Sequence, residues 1–285
     1  VLVCHPGKRR KLPRELIEMD RLAFRFAFVM LTVAGAVSCG SAKSELDGGI
    51  EADGGTSQVH PPMSMLGTLV VMGDSISDNG GVAPFYYDKL KSALELKFPG
   101  TSYFHVAKSG SKADDLIRQI NTLPVTLPGP VAVVMTSGGN DMRAALLKIV
   151  LGTDAPARAT MRMNLQEALT ELLSANRFGP DVLVRVYEAN IYDSSDGVGD
   201  FVNQGCLVPY PESDTSQHFE RWNGEIAAEV AEHGQQLIDL HALFAGHGIS
   251  SASRWYAADC IHPNALGHDA LYRSLYQSMT GLEAP

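Results

Sequence analysis

The sequence predicts a doubly wound α/β domain: a mostly parallel five-stranded sheet between two layers of helices, a three-layer α/β/α sandwich. Three observations carry this. Short apolar runs rich in β-branched residues recur at 66–72, 131–136 and 182–187. Stretches with apolar residues at helical spacing separate them. Most of the runs end in a polar loop containing Gly, Ser or Asn, and alternation of this kind builds parallel sheets with helices on both faces.

The elements follow in order. Residues 66–72 form the first strand and end at Gly73-Asp74-Ser75. The stretch 83–98 places Phe85, Leu90, Leu94 and Phe98 near helical spacing and stops at Pro99-Gly100. A second strand covers 101–107, and a short helix over 113–120 follows the Ser109-Gly110-Ser111 turn. Residues 131–136 are the most apolar run, as expected of a central strand buried on both faces. Helices are predicted over 141–150 and 161–176, the second with Leu165, Leu169, Leu172 and Leu173 along one face. After a fourth strand at 182–187, residues 193–213 make a long Gly/Pro/Asp-rich excursion carrying Phe201 and Tyr210, with Tyr192 just before it. Loops of this length in a domain are usually functional or mobile. A helix over 219–232 and a fifth strand over 236–240 lead to a final helix. Pro263 is expected to open that helix, which carries Leu271, Leu275 and Met279. No internal repeat is present.

At 285 residues, 45% of them hydrophobic, the chain can bury a large core. Its beginning reads differently from the rest. Arg21 and Arg25 precede an apolar stretch ending in small residues at 26–38, the pattern of an export signal and too short to span a bilayer. Met19 just ahead of the arginines marks an expected translation start, which makes residues 1–18 an over-extended beginning. Ala36-Val37-Ser38-Cys39 resembles a bacterial lipobox, with Ala36 where leucine is usual. Lipidation of Cys39 after cleavage before it is the expectation; a plain signal peptide cut near Ala36 is the alternative. Residues 40–64, poor in large apolar side chains, read as a flexible polar tether, and 65–285 as the folded domain. The protein is thus expected to be exported, at a membrane if Cys39 carries lipid and otherwise secreted.

The formal net charge is −9. Residues 1–39 hold 7 of the 23 basic and 3 of the 32 acidic residues, so the remainder carries 16 against 29, a net charge of −13. With no basic cluster after Arg25, this disfavours nucleic acid as a partner, and none is expected, since phosphate binding needs grouped Lys and Arg. Oligomeric state is not readable. Beyond residue 39 the cysteines are Cys206 and Cys260. In an exported chain such a pair is a candidate disulfide, with two separate buried thiols as the alternative.

Dinucleotide, nucleoside-triphosphate and zinc-protease motifs are absent, as is the Gly-x-Ser-x-Gly elbow. Four other features align. Gly73-Asp74-Ser75 puts a serine where the first strand meets its loop, a place where open α/β sheets gather function. Gly110 follows the second strand, where a residue without Cβ can bring its N–H close to a substrate oxygen or can be a plain turn glycine. Ser137-Gly138-Gly139-Asn140-Asp141 follows the third, so the Asn140 amide can donate to a developing oxyanion or cap a helix. Asp259-Cys260-Ile261-His262 spaces a carboxylate to reach Nδ1–H of its own histidine, which leaves Nε2 as a base toward a serine.

Gly73-Asp74-Ser75, Gly110, Gly138-x-Asn140-Asp141 and Asp259-x-x-His262, in this order, resemble the four blocks of the SGNH, or GDSL, hydrolases over roughly residues 66–280. Ile76 stands where the second name implies leucine. The resemblance implies a flavodoxin-like sheet and a serine esterase. Ser75 would be the nucleophile, His262 the general base and Asp259 its orienting carboxylate. The N–H groups of Ser75 and Gly110, with the Asn140 amide, would form the oxyanion hole. It also implies that no metal or organic cofactor is needed and that the partner is a small-molecule ester, an acyl lipid or an O-acylated or O-acetylated carbohydrate. An O-acyltransferase using the same acyl-enzyme, or an inactive surface-binding module, are the alternatives.

Overall fold

β-branched and apolar residues fill the strands because both faces of the sheet are covered. The computed structural model describes residues 60–199, 201, 206 and 215–285. Five strands, β1 (Thr68–Gly73), β2 (Ser102–His105), β3 (Val131–Thr136), β4 (Val184–Ala189) and β5 (Gln236–Ile238), form one sheet in the order 2-1-3-4-5. Every pairing is parallel.

The pleat divides each central strand between two cores. Leu69 and Val71 of β1, with Ala132 and Val134 of β3, face one layer. Val70 and Met72, with Val131, Val133 and Met135, face the other. Helices α1 (Tyr86–Lys97) and α8 (Ala265–Thr280) cover the first face. Helices α2 (Leu116–Ile120), α5 (Ala155–Leu172) and α6 (Ser216–Glu232) cover the second. The short helices α3 (Gly139–Ala144), α4 (Leu146–Val150) and α7 (Leu240–Phe244) complete the set among the described residues.

The register sets the position of the site. Gly73 pairs with Thr136, Thr136 with Ala189, and Ala189 with Ile238, so four strands end level. The chain leaves β1 to one side toward β2 and returns to the other side through β3. Loops after β1 and β3 therefore diverge and open a crevice at the carboxyl edge, where α/β sheets of this kind bind ligands.

Several boundaries differ from those expected. The long helix starts at Ala155 and ends at Leu172, not 161–176; Pro156 suits its first turn, and Asp154 stands ahead of it. The Asp154 carboxylate accepts from Trp222 Nε1 at 3.0 Å, so it ties α5 to α6. The 141–150 helix is two pieces, broken at Ala145. β4 begins at Val184 and runs on to Ala189, since Glu188 at the polar end is itself buried. The last helix is not opened by Pro263: Asn264 caps it, its side chain accepting from Leu266 and Gly267 N–H at 2.9 and 3.1 Å. β5 stops at Ile238 because Asp239 caps α7, a helix the periodicity did not announce.

The domain also begins before residue 65. Met63 is buried and its N–H donates to Met279 O at 2.7 Å, while Arg185 holds Pro61 O at 2.6 Å. A methionine and two prolines in that stretch supply the apolar contact that the preceding Gly/Ser/Asp residues lack. The expected start, signal, lipobox, Cys39 and most of the tether lie outside the described residues, as does Tyr210.

Candidate active site

Ser75 is delivered by a tight structure at the end of β1. Asp74 caps the single 3-10 turn Ser75–Ser77, its side chain accepting from Ile76 N–H at 3.0 Å. Thr136 Oγ1 donates to the same oxygen at 2.9 Å, and Asp74 N–H donates to Thr136 O at 3.1 Å. The nucleophile loop is thereby locked to the neighbouring strand. Burial pushes the Asp74 carboxyl up to about 6, against the pull of the donors from Ile76 and Thr136. Below it, the buried Gln119 side chain returns both backbone bonds of Gly73, at 2.7 and 2.8 Å.

Opposite Ser75 stands the loop before α8. Ser75 Oγ and His262 Nε2 are 2.7 Å apart, and His262 Nδ1 and Asp259 Oδ2 also 2.7 Å. Asp259 Oδ1 accepts the N–H groups of Ile261 and His262, both at 3.0 Å. Burial alone would raise the Asp259 carboxyl. The donors from His262 and Ile261 outweigh it and leave the group below the usual carboxylate value, hence ionised at neutral pH.

This loop is held from several sides. Tyr192 Oη donates to Ile261 O at 2.6 Å, Ala257 N–H to His262 O at 2.8 Å, and Arg254 Nε to Tyr256 O at 3.0 Å. Cys260 takes a left-handed φ of 63° between Asp259 and His262, and a disulfide joins it to Cys206, 54 residues away, with Cα atoms 5.9 Å apart. Gly80 packs beneath the imidazole: a Cβ there would lie 2.5 Å from His262 Cδ2. His268, pushed down to about 4 by burial and so neutral, bonds Gly80 O at 2.9 Å and fixes that segment.

The third component is a ring of donors. Gly110 adopts φ of 82°, the reason for glycine here, since none of the described residues crowds the position of its missing Cβ. Its turn is tied on the side of β2: Ser109 N–H donates to Asp78 Oδ2 at 2.7 Å, and Lys108 N–H to Gly73 O at 3.0 Å. Asn140 Nδ2 donates to Ser111 O at 2.9 Å, which orients the amide and leaves its second N–H for a ligand. Asn140 lies inside the first turn of α3; Gly138 occupies the cap position, so the helix-cap alternative does not hold. The N–H groups of Ser75 and Gly110 make no hydrogen bond among the described residues.

A cavity of about 290 Å³ opens between these parts. Ser75, Gly110, Asn140 and His262 lie on its wall, with Ile76, Ile191, Tyr192, Phe201, Phe219 and Ile261 as an apolar side. Among the described residues no cluster of His, Cys, Asp and Glu could hold a metal ion.

The sequence profile of the GDSL-like lipase/acylhydrolase family matches residues 71–270. The chain belongs to that family. It is accordingly a GDSL ester hydrolase, with the five-stranded parallel sheet of that fold. None of the curated proteins matches this GDSL hydrolase in sequence. Among solved structures it is similar to the acetylxylan esterase Axe2 of Geobacillus stearothermophilus, at 17% identity and a TM-score of 0.56, over 76% of this chain and 94% of that one. It is also similar to phospholipase A1 of Streptomyces albidoflavus, at 21% identity and 0.56, over 75% and 100%. An extracellular lipase of Streptomyces rimosus gives 22% and 0.52, over 75% and 99%. At these identities the likeness concerns the fold.

Of the site residues expected from the sequence, Ser75, Gly110, Asn140, Cys260 and His262 line this crevice, while Asp259 is bonded to His262 and Cys206 to Cys260 behind it. Sequence reasoning missed the supports: Gln119, Thr136, Tyr192, Gly80 and His268. Each acts across more than 30 residues of chain on a partner that no local motif names, although Gly80-Gly81, so close to the serine, was a visible signal.

Proposed function

We propose that this GDSL hydrolase is an exported serine esterase working through Ser75, His262 and Asp259, with an acyl-enzyme intermediate. The observation that carries the reading is the continuous line Ser75 Oγ–His262 Nε2, His262 Nδ1–Asp259 Oδ2, both steps 2.7 Å, at the wall of the cavity. Neutral His262 takes the Ser75 proton as Oγ attacks the ester carbonyl, since an un-ionised hydroxyl is a poor nucleophile. Ionised Asp259 holds the imidazole in the tautomer with Nε2 unprotonated and stabilises the imidazolium that forms. Negative charge developing on the carbonyl oxygen is met by the N–H groups of Ser75 and Gly110 and the free N–H of Asn140. One such preorganised donor is typically worth about 10²–10³ in rate. His262 then protonates the departing alkoxide, and water repeats the cycle on the acyl-enzyme.

The apolar side of the cavity, with Ile191, Tyr192 and Phe219, supports an acyl group lying there, from an acyl lipid or an acylated sugar. Export is supported by the disulfide, since such bonds persist in oxidising compartments. Hydrolysis of 4-nitrophenyl acetate by Ser75→Ala and His262→Ala variants tests the reading. Each should lose at least ~10⁴-fold in kcat with the thermal transition kept, because members of such a site act as a unit. A few per cent of wild-type turnover in either variant would reject it.

A further inference from the structure

One wall residue of the cavity takes no part in this chemistry. Arg143 lines the cavity and is exposed to solvent, three residues beyond Asn140 on α3. Among the described residues its side chain has no hydrogen bond and no ion pair. The other described arginines differ. Arg118, Arg158, Arg162, Arg177 and Arg273 pair with carboxylates. Arg185 and Arg254 hold backbone carbonyls, and Arg221 holds His218. In a chain of net charge −9, acidic partners are plentiful, yet among the described residues this guanidinium is left without one.

Its placement gives it a use. Residues three apart on a helix are neighbours, with Cβ atoms about 5–6 Å apart. Asn140 is itself fixed by its bond to Ser111 O. Asn140 and Arg143 thus share one helix face and one cavity wall, so a carbonyl oxygen received by the Asn140 amide would leave a group a few bonds removed within the span of the long Arg143 side chain. Guanidinium matches carboxylate and phosphate oxygens in a two-pronged geometry that neutral groups do not satisfy. The whole-molecule charge repels anions, so a local cation is what would let an anionic ester settle here.

Resting on the esterase reading above, we infer that Arg143 is a specificity residue that selects esters bearing an anionic group, carboxylate or phosphate, a few atoms from the scissile bond. It binds this group in the ground state and the transition state alike. Its loss is therefore expressed mainly in KM.

Two pairs of acetyl esters test this by acetate release. In one, 1-acetylglycerol 3-phosphate is compared with 1-acetylglycerol; in the other, 3-acetoxypropionate with 3-acetoxypropanamide. For wild type, kcat/KM should favour the anionic member of at least one pair, and which pair responds tells phosphate from carboxylate. In Arg143→Gln that ratio should fall about tenfold, the size of one charge-assisted contact, with the change in KM. Arg143→Lys, which keeps the charge but not the fork, should retain only part of it, and Arg143→Glu should invert it. Added salt should erode the preference in wild type and not in Arg143→Gln. A wild type with no preference in either pair, or a ratio unchanged in Arg143→Gln, overturns the inference while Ser75-dependent hydrolysis stands. Undiminished hydrolysis of the neutral esters by Ser75→Ala would instead overturn the esterase reading beneath it.

Discussion

Asp74 carries the most structural work of any single side chain near the nucleophile. It is fully buried, caps the turn that presents Ser75, and binds Thr136 of the next strand. The cost shows in its titration, raised from 3.8 to about 6 by burial. A carboxyl raised on folding keeps its proton in the native state while the unfolded chain has lost it. Its contribution to stability is therefore full below about pH 4 and disappears as pH rises through about 6. At ~1.4 kcal/mol per pKa unit this is about 3 kcal/mol. Asp74→Asn keeps an acceptor for Ile76 but cannot ionise. Its stability relative to wild type should accordingly improve between pH 4 and pH 7, read from denaturation midpoints at both pH values. A difference that is the same at the two pH values would contradict a buried, titrating Asp74. At this scale Ser75, Asn140, Asp259 and His262 were legible because their partners are near in sequence or mark a strand end. Gln119 and Tyr192 were not, since a buried amide or phenol gives no sign in the sequence of the backbone atom it will bond.

At the scale of elements, strand positions were legible to within a few residues because continuous apolar runs have few other homes. Helix starts were less so: a proline can precede or enter a first turn, and only the cap bonds of Asn264 decide which. The excursion after β4 is where local reading gave least. Its described part is organised by Asp193, whose carboxylate accepts from Ser195 N–H at 2.8 Å, Gly197 N–H at 3.0 Å and the Thr215 hydroxyl, and so joins the two ends of the segment. A further anchor is the disulfide to the His262 loop. Closing 54 residues stabilises by about 4 kcal/mol on the chain-entropy account. Cys206→Ser should lower the denaturation midpoint by a matching amount. It should also reduce kcat, because Cys260 sits between base and carboxylate. Loss of stability with kcat unaltered would make the bridge structural alone.

Over the whole molecule, the disulfide and the apolar stretch at 26–37 are what support the proposed export. We propose attachment to a membrane through a lipid on Cys39, which would place the crevice at a surface on a polar tether. Expressed in a bacterial host, wild type should partition with membranes and carry acyl mass at Cys39, while Cys39→Ala should carry none. A mature N-terminus at Ala42 or beyond, found by mass spectrometry, would exclude the anchor. Among the described residues no helix is long and apolar enough to cross a membrane.

The proposed chemistry requires Ser75 to be the nucleophile that His262 activates, and covalent capture tests this most directly. Treated with a fluorophosphonate, the protein should take up one equivalent in step with loss of esterase activity. Peptide mapping should place the adduct on Ser75, and the His262→Ala variant should react far more slowly. An adduct on any other residue, or inactivation without an adduct at Ser75, would contradict the assignment.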